Sequence, residues 1–403
     1  MGWHMGRARA TWAARATRRV GRAGGRLLGR VRIALAHDWL CGFRGGEAVL
    51  ERLARLVAGE HEPAGLYVMF DDGRPVAPAI DALRTTVARL GRLPAASTRL
   101  RRWLFPLYPL AVTDLSRRLA RAHRERPIDL VISTSSAAIK GLRPPPGVPH
   151  LCYCHNPARY AWSQAAPYRR GRLGWLRGAG LALFAGSFRR WDRRTSANVT
   201  RFLANSTHTA SLVNSCYGRD ARVVFPPVRT GYFTPGEAAG REDFWLVVSA
   251  LEPYKRVDLA IAAARLAGRR LVVVGGGSQA GALRRLGGPG IEFRRRVSDE
   301  ELRSLYRRAE LLLFPQVEDF GIVAAEALAC GLPVVARAEG GALDIVSDGL
   351  TGALFSEPQA GALVAAAARA PRECAAACRA SAERFCEARF DAELRGAIAE
   401  LGG

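Results

Sequence analysis

Residues 311–336 read LLLFPQVEDFGIVAAEALACGLPVVA and alternate between two kinds of pattern. Leu311–Phe314 is a run of four apolar residues, too short for a helix and right for a strand buried on both faces. A polar loop with Glu318 and Asp319 follows. Gly321 then opens an alanine-rich helical stretch that reaches Ala329. Gly331, Leu332 and Pro333 turn the chain into a second apolar run, Pro333–Ala336. A strand, a crossover helix and a strand in this order make the unit of a parallel sheet.

The same alternation continues on both sides. Upstream lie strand Phe244–Ser249, helix Arg256–Ala267, strand Arg270–Val274, strand Ile291–Phe293 and helix Asp299–Tyr306. Downstream lie strand Gly352–Phe355 and alanine-rich helices. An earlier series has strands at Val31–His37, Leu66–Phe70, Asp129–Ser133, His150–Cys154 and Val199–Ala204, with a helix over Glu47–Val57. Between the two series, Phe225–Asp243 is rich in Pro and Gly and carries no period, as a linker does. The expected class is α/β: two doubly wound Rossmann-like domains facing a central cleft, with C-terminal helices closing the chain. The expected divisions are a basic tail (1–30), a first domain (31–225), a linker (226–242), a second domain (243–390) and a helix end (391–403).

The chain has 403 residues, enough for two such domains, with 49% hydrophobic and 24% charged residues. That composition excludes a disordered, collagen-like or disulfide-miniprotein chain. No run of about 18 apolar residues occurs, so no helix is expected to span a bilayer. Residues 1–30 lack the apolar core of an export signal, so the eight cysteines are expected as free thiols in a reducing cytosol. The net charge is +24, and it is local. Nearly all of it sits in residues 1–30, 97–126 and 169–201, which leaves everything after residue 201 almost neutral. Only Lys140 and Lys255 are lysines; every other basic residue of the 60 is Arg. A position that keeps Lys in such a chain favours a compact ammonium over a planar fork.

Two segments carry chemistry on their own residues. Glu318 sits at a strand's carboxyl end, and Glu326 lies two turns into the helix that Gly321 opens. Free N–H groups at Gly321, Ile322 and Val323 are suited to an anion or to sugar hydroxyls. Read alone, these residues equally fit an ordinary helix start with one surface glutamate. Lys255 follows Ser249-Ala-Leu-Glu-Pro-Tyr254 at a strand-to-helix turn, where a point charge meets a diphosphate, or simply a solvated helix start.

Five spaced motifs together resemble the retaining glycosyltransferases of family 4, which have the GT-B fold. They are His37-Asp38-Trp39 with Arg44-Gly45-Gly46-Glu47; Cys154-His155-Asn156-Pro157 with Tyr160-Ala161-Trp162; Asn205-Ser206; Pro253-Tyr254-Lys255-Arg256-Val257-Asp258; and Glu318/Glu326 followed by Ala329-Cys330-Gly331-Leu332-Pro333-Val334. The resemblance covers about residues 31–390. It is strongest to GDP-mannose-dependent mannosyltransferases of surface-polysaccharide assembly. It implies that Lys255 neutralises the donor diphosphate, Glu326 holds the ribose hydroxyls, and Glu318 contacts the donor sugar. Gly321–Val323, Gly45 and Gly46 would approach the phosphates, and His155 the sugar, so that the catalytic set is His155, Lys255 and Glu318. The family often has Arg where this chain has Ala250, with Arg256 the nearby substitute. It also often has Gly where Arg294-Arg295-Arg296 precedes Val297. No cofactor or metal is implied, because the nucleotide sugar is a substrate.

Cys152/Cys154 and Cys374/Cys378 lack the partners of a zinc site. The triplet Gly275-Gly276-Gly277 lacks the spacing of a dinucleotide loop. The basic segments read either as solvated faces or as a surface for anionic membrane and a lipid-linked saccharide acceptor. The residues for that surface are Arg101, Arg102, Trp103, Trp175, Arg189, Arg190, Trp191, Arg193 and Arg194, with Phe184 and Phe188 among them. Nucleic acid is the weaker partner, since the charge is confined to one half of the chain. The expected location is cytoplasmic, on the inner face of the membrane. The remaining alternatives are a UDP-sugar-dependent enzyme of the same fold and a non-catalytic protein that binds sugar nucleotides or nucleic acid.

Overall fold

The computed structural model describes residues 30–98, 100–101, 103–162, 174–236 and 241–402. Residues 1–29 of the basic tail, Arg102 and the side chain of Trp175 therefore lie outside the described residues.

The first lobe holds a seven-stranded parallel sheet in the order β3-β2-β1-β4-β5-β6-β7. Its strands are β1 (Arg32–Leu40), β2 (Glu62–Asp71), β3 (Thr85–Val87), β4 (Leu130–Ser135), β5 (His150–Cys154), β6 (Arg201–Ala204) and β7 (Ala221–Val223). The second lobe holds a six-stranded parallel sheet in the order β10-β9-β8-β11-β12-β13. It comprises β8 (Phe244–Val248), β9 (Arg270–Val274), β10 (Ile291–Arg294), β11 (Leu311–Phe314), β12 (Val334–Arg337) and β13 (Gly352–Phe355). In each sheet the chain winds outward from one central strand and then reverses. The two strand ends at that reversal face the cleft.

The central strands are buried on both faces, which is why they read as unbroken apolar runs. On β1, Ile33 and Leu35 pack with Val49 and Leu53 of helix Gly45–Glu60. Ala34 and Ala36 point the other way, into the layer of Tyr108, Val112 and Leu115. On β8, Leu246 joins one layer while Trp245 and Val247 join the other. Only the three-residue edge strands β3 and β7 escape the sequence pattern, being too short to show a period.

The chain crosses between the lobes twice, side by side. Val228 N–H donates to the Phe385 carbonyl at 2.9 Å, where the outgoing and returning strands form a bridge at Val228 and Cys386. The second unit was expected to run to residue 390, but the chain leaves it at Cys386. Helix Glu387–Gly402 returns to the first lobe and buries Phe390, Leu394 and Ile398 against Leu53 and Val57. Arg52 fixes that return with two bonds to Asp391, at 2.8 and 2.6 Å. The first lobe thus includes residues from both ends of the described chain.

Candidate active site

Between the lobes lies a cavity of about 460 Å³. The first lobe lines it with Arg44, Gly45, Gly46, Ser136, His155 and Asn205, and the second with Ser249, Ala250, Lys255 and Glu318–Val323. Every one of these sits just past the carboxyl end of a strand, where strand-to-helix turns converge.

Glu318 follows β11 in a loop pinned by Gly341, whose N–H donates to the Glu318 carbonyl at 2.8 Å. The buried Gln316 amide also donates to Glu318 Oε1, at 3.3 Å. Gly321 turns the loop into helix Ile322–Ala329 with φ of 110°, a left-handed value that an L side chain rarely adopts. The N–H groups that open this helix face the cavity and have no intrahelical acceptor. Lys255 comes from the turn Pro253–Lys255 and forms an ion pair with Glu318 across the cavity wall.

The glycine triplet does a packing job. Leu251 N–H donates to the Gly276 carbonyl at 3.0 Å. A Cβ on Gly277 would stand 2.5 Å from the Leu251 carbonyl oxygen. Residues 275–277 therefore buttress the lysine loop.

Arg256, expected beside Lys255 in the donor site, departs from that expectation. Its guanidinium pairs with Asp258 at 3.3 Å, and it is absent from the cavity wall. Glu326 is also not part of the wall. It lies one turn deeper on the helix face of Ile322 and accepts from Tyr306 OH at 3.3 Å. Burial pushes its carboxyl up to about 7, against the pull of Arg229 and the Tyr306 hydroxyl.

His155 ends β5. Its Nε2 is buried without a hydrogen-bond partner and lies 3.8 Å from where a Cβ on Gly46 would stand. Burial, with the His37 ring beside it, drives its pKa down to about 3, so the ring is neutral near pH 7. A neutral imidazole with a free ring nitrogen can exchange a hydrogen bond with a hydroxyl. It holds no proton to give as an acid.

His37 and Asp38 support this wall without facing the cavity. The Asp38 carboxylate accepts four backbone N–H bonds of 2.6–2.9 Å from Ser136, Ala137, Ala138 and Ile139, and so shapes the turn after β4. His37 Nδ1 meets Thr134 Oγ1 at 2.5 Å, and its other nitrogen lies 3.8 Å from Glu47. Glu47 in turn accepts from Arg44 N–H at 3.0 Å, fixing the start of the first helix. Burial raises the Glu47 carboxyl, but bonds from His37 and the backbone outweigh it and hold it below its ordinary value.

Sequence reasoning missed the contacts that join the lobes. Asp319 accepts from Asn156 and Arg159 of the first lobe. Burial, stronger than the attraction of Arg159, raises its carboxyl. On the second contact, Asp344 accepts from Thr207 N–H at 2.8 Å and from its hydroxyl at 2.7 Å. Asn156 stood in a quoted motif, but nothing in the sequence pairs it with a residue 163 positions away.

Lys140, the other lysine, is buried in the first lobe and pairs with Asp192. Asp192 also accepts from Trp162 Nε1 at 2.8 Å and Tyr217 OH at 2.9 Å. This network joins helix Gly174–Thr195 to the short helix Arg159–Trp162 at the cleft.

The basic surface needs correction. Phe188 is buried beside Phe105, their centroids 4.4 Å apart, and Trp191 packs against Phe188 at 5.2 Å. Neither reaches out to a headgroup layer. Arg193 lies on the protein: its Nε donates to the Cys216 carbonyl at 2.8 Å, and it stacks over Trp162. Arg101 lies over the Trp39 ring at 4.8 Å. Arg189, Arg190 and Arg194 are exposed. The apolar groups that do face out are Trp103, Leu107, Leu110 and Phe184. Beside them a groove of about 450 Å³ is lined by Pro106, Pro109, Phe184, Ser187, Phe188, Arg190, Trp191 and Arg194. Among the described residues no helix is long and apolar enough to cross a membrane.

Two facing parallel-sheet lobes with a polar cleft define a GT-B architecture. Residues 43–232 match the model for Glycosyltransferase Family 4, and residues 231–375 match the model for Glycosyl transferases group 1. The two lobes are therefore glycosyltransferase domains of these families. The chain is 36% identical over 194 residues to the D-inositol 3-phosphate glycosyltransferase of Mycobacterium tuberculosis, covering 42% of this chain and 40% of that protein. It thus spans about two fifths of the length of the curated relatives it matches. Among solved structures, sucrose-phosphate synthase of Thermosynechococcus elongatus aligns with a TM-score of 0.71 at 18% identity, covering 92% of this chain and 99% of that one. HepE of Anabaena, in complex with UDP, aligns at 0.66 and 16% identity, covering 92% and 100%.

Proposed function

We propose that this chain is a retaining glycosyltransferase that moves a hexose, mannose from GDP-mannose, to a lipid-linked saccharide at an anionic membrane face. The observation that carries the reading is the cleft itself. A lysine, a carboxylate and the N-terminus of a helix meet on one wall, and a neutral histidine with a free ring nitrogen stands on the other. In this reading the donor diphosphate displaces Glu318 from Lys255 and lies against the N–H groups at Gly321–Val323. Glu318 turns to the sugar hydroxyls, Glu326 takes the ribose, and His155 meets a sugar hydroxyl from the first lobe. The bond from the anomeric carbon to the phosphate breaks, and the acceptor oxygen bonds on the same face. The acceptor proton leaves with the nucleoside diphosphate. Charge grows on the leaving phosphate, so fixed cations and N–H dipoles lower the barrier. No cofactor enters this scheme.

GDP-mannose rests on the motif resemblance. A UDP-sugar donor is the second reading, favoured by the complex of HepE with UDP. Measuring release of GDP or UDP from a panel of sugar nucleotides separates the two. Affinity for single-stranded DNA with none for any sugar nucleotide would refute both. The acceptor side is supported by the groove rimmed by Arg190 and Arg194 and by its exposed apolar neighbours, which suit a lipid phosphate on the inner membrane face.

A further inference from the structure

The charged side chains of the cleft pair off, with one exception. Lys255 is engaged by Glu318, and Asp319 by Arg159. Each pair cancels. Arg44 also lines the cavity, and among the described residues no carboxylate lies within ion-pair distance of its guanidinium. It is therefore the uncompensated charge of the cleft.

Its backbone is held firmly. The Arg44 N–H donates to the buried Glu47 carboxylate at 3.0 Å, and its carbonyl accepts from Ala48 at 2.9 Å. Next along the chain, a Cβ on Gly45 would stand 3.1 Å from Ile322 Cδ1 of the opposite lobe, so Arg44 rises beside a point where the two lobes come close. Arg256, the other arginine near the lysine turn, is committed to Asp258.

We propose that Arg44 is a donor-binding residue: its guanidinium reaches from the first lobe onto the donor diphosphate, opposite Lys255. The inference rests on the donor-site reading given above. A diphosphate is a dianion that gains further charge as it leaves, and the single charge of Lys255 alone cannot balance it. The planar fork of an arginine can hold two phosphate oxygens at once. Because Arg44 and Lys255 belong to different lobes, the donor would tie the lobes together through its phosphates.

The test is calorimetric titration of GDP, UDP and the corresponding monophosphates into the wild type, Arg44→Ala, Arg44→Lys and the double variant Arg44→Ala/Ala250→Arg. Loss of a charge-assisted contact should weaken diphosphate binding by about tenfold or more in Arg44→Ala, with monophosphate binding changed by less than about threefold. Arg44→Lys should recover part of the loss. Ala250 lines the same cavity, so an arginine there should also recover part. An Arg44→Ala variant that binds diphosphates as the wild type does overturns the proposal. So does a variant that loses monophosphate and diphosphate affinity equally, since that is the signature of a damaged fold or base site. A wild type that binds no nucleoside diphosphate defeats the donor-site reading instead.

Discussion

Lys255 and Glu318 neutralise each other on the cleft wall, so removing either leaves the other unpaired. Lys255→Ala should lower kcat at least ~100-fold, the size of a lost electrostatic contact to a leaving group. A variant that keeps half the wild-type rate contradicts the assigned role. Glu318→Gln should lower kcat more than Glu326→Gln does, since one faces the reacting sugar and the other the ribose; equal losses confined to KM contradict that order. Glu326 also has a signature in stability. Its folded carboxyl titrates near 7, above the ordinary value of 4.5, so the native state holds a proton that the unfolded state releases between these values. Stability therefore falls as pH rises from about 4.5 to about 7 and is flat above. Glu326→Gln should remove that decline. Denaturation midpoints at pH 5 and pH 8 check it, and a wild type equally stable at both contradicts it.

The helix Gly45–Glu60 begins with two glycines although glycine weakens a helix by about 1 kcal/mol relative to alanine. Gly46 has room for a methyl group: an ideal Cβ would lie 3.7 Å from His37 and 3.8 Å from His155, ordinary contact distances. Gly46→Ala should therefore fold as well as the wild type or slightly better. The added methyl would occupy the space beside His155 Nε2, so the donor KM should rise about tenfold, in line with a lost hydrogen bond. Thermal unfolding and steady-state kinetics on the same preparation test the pair of claims. A lower Tm with normal KM would show instead that the helix start needs glycine for its own geometry.

Across the whole molecule, the exposed arginines of the first lobe and the apolar rim at Leu107, Leu110 and Phe184 form one surface. Arg189, Arg190 and Arg194 are free to meet lipid phosphates, whereas Arg193 is committed to Cys216 and Trp162. Attraction of about 1 kcal/mol per basic residue near an anionic surface makes the triple Arg189→Gln/Arg190→Gln/Arg194→Gln change worth roughly 100-fold in vesicle affinity. Wild-type binding to vesicles rich in phosphatidylglycerol should fall steeply with salt. A salt-resistant remnant should disappear in Leu110→Glu/Phe184→Glu. Donor affinity should be the same in every variant. Equal binding to neutral and anionic vesicles would leave the arginine excess without a membrane role.

The two parallel sheets, their central strands and the polar turns at their ends were legible in the chain, because doubly buried strands must be apolar throughout and crossover helices keep their own period. Lys255 and Glu318 could be singled out for the same reason, each standing at the end of such a strand, whereas His155 was marked only by the motif resemblance. The pairings were not legible. That Asp319 meets Asn156 and Arg159, that Asp344 meets Thr207, and that Arg256 serves Asp258 while Arg44 stays unpaired depend on how the lobes approach, and no local period encodes a contact across 160 residues. Nor could charge and aromatic content show that Phe188 and Trp191 turn inward. A helix side chain faces core or solvent according to what packs against it, and the partner here, Phe105, lies some eighty residues away.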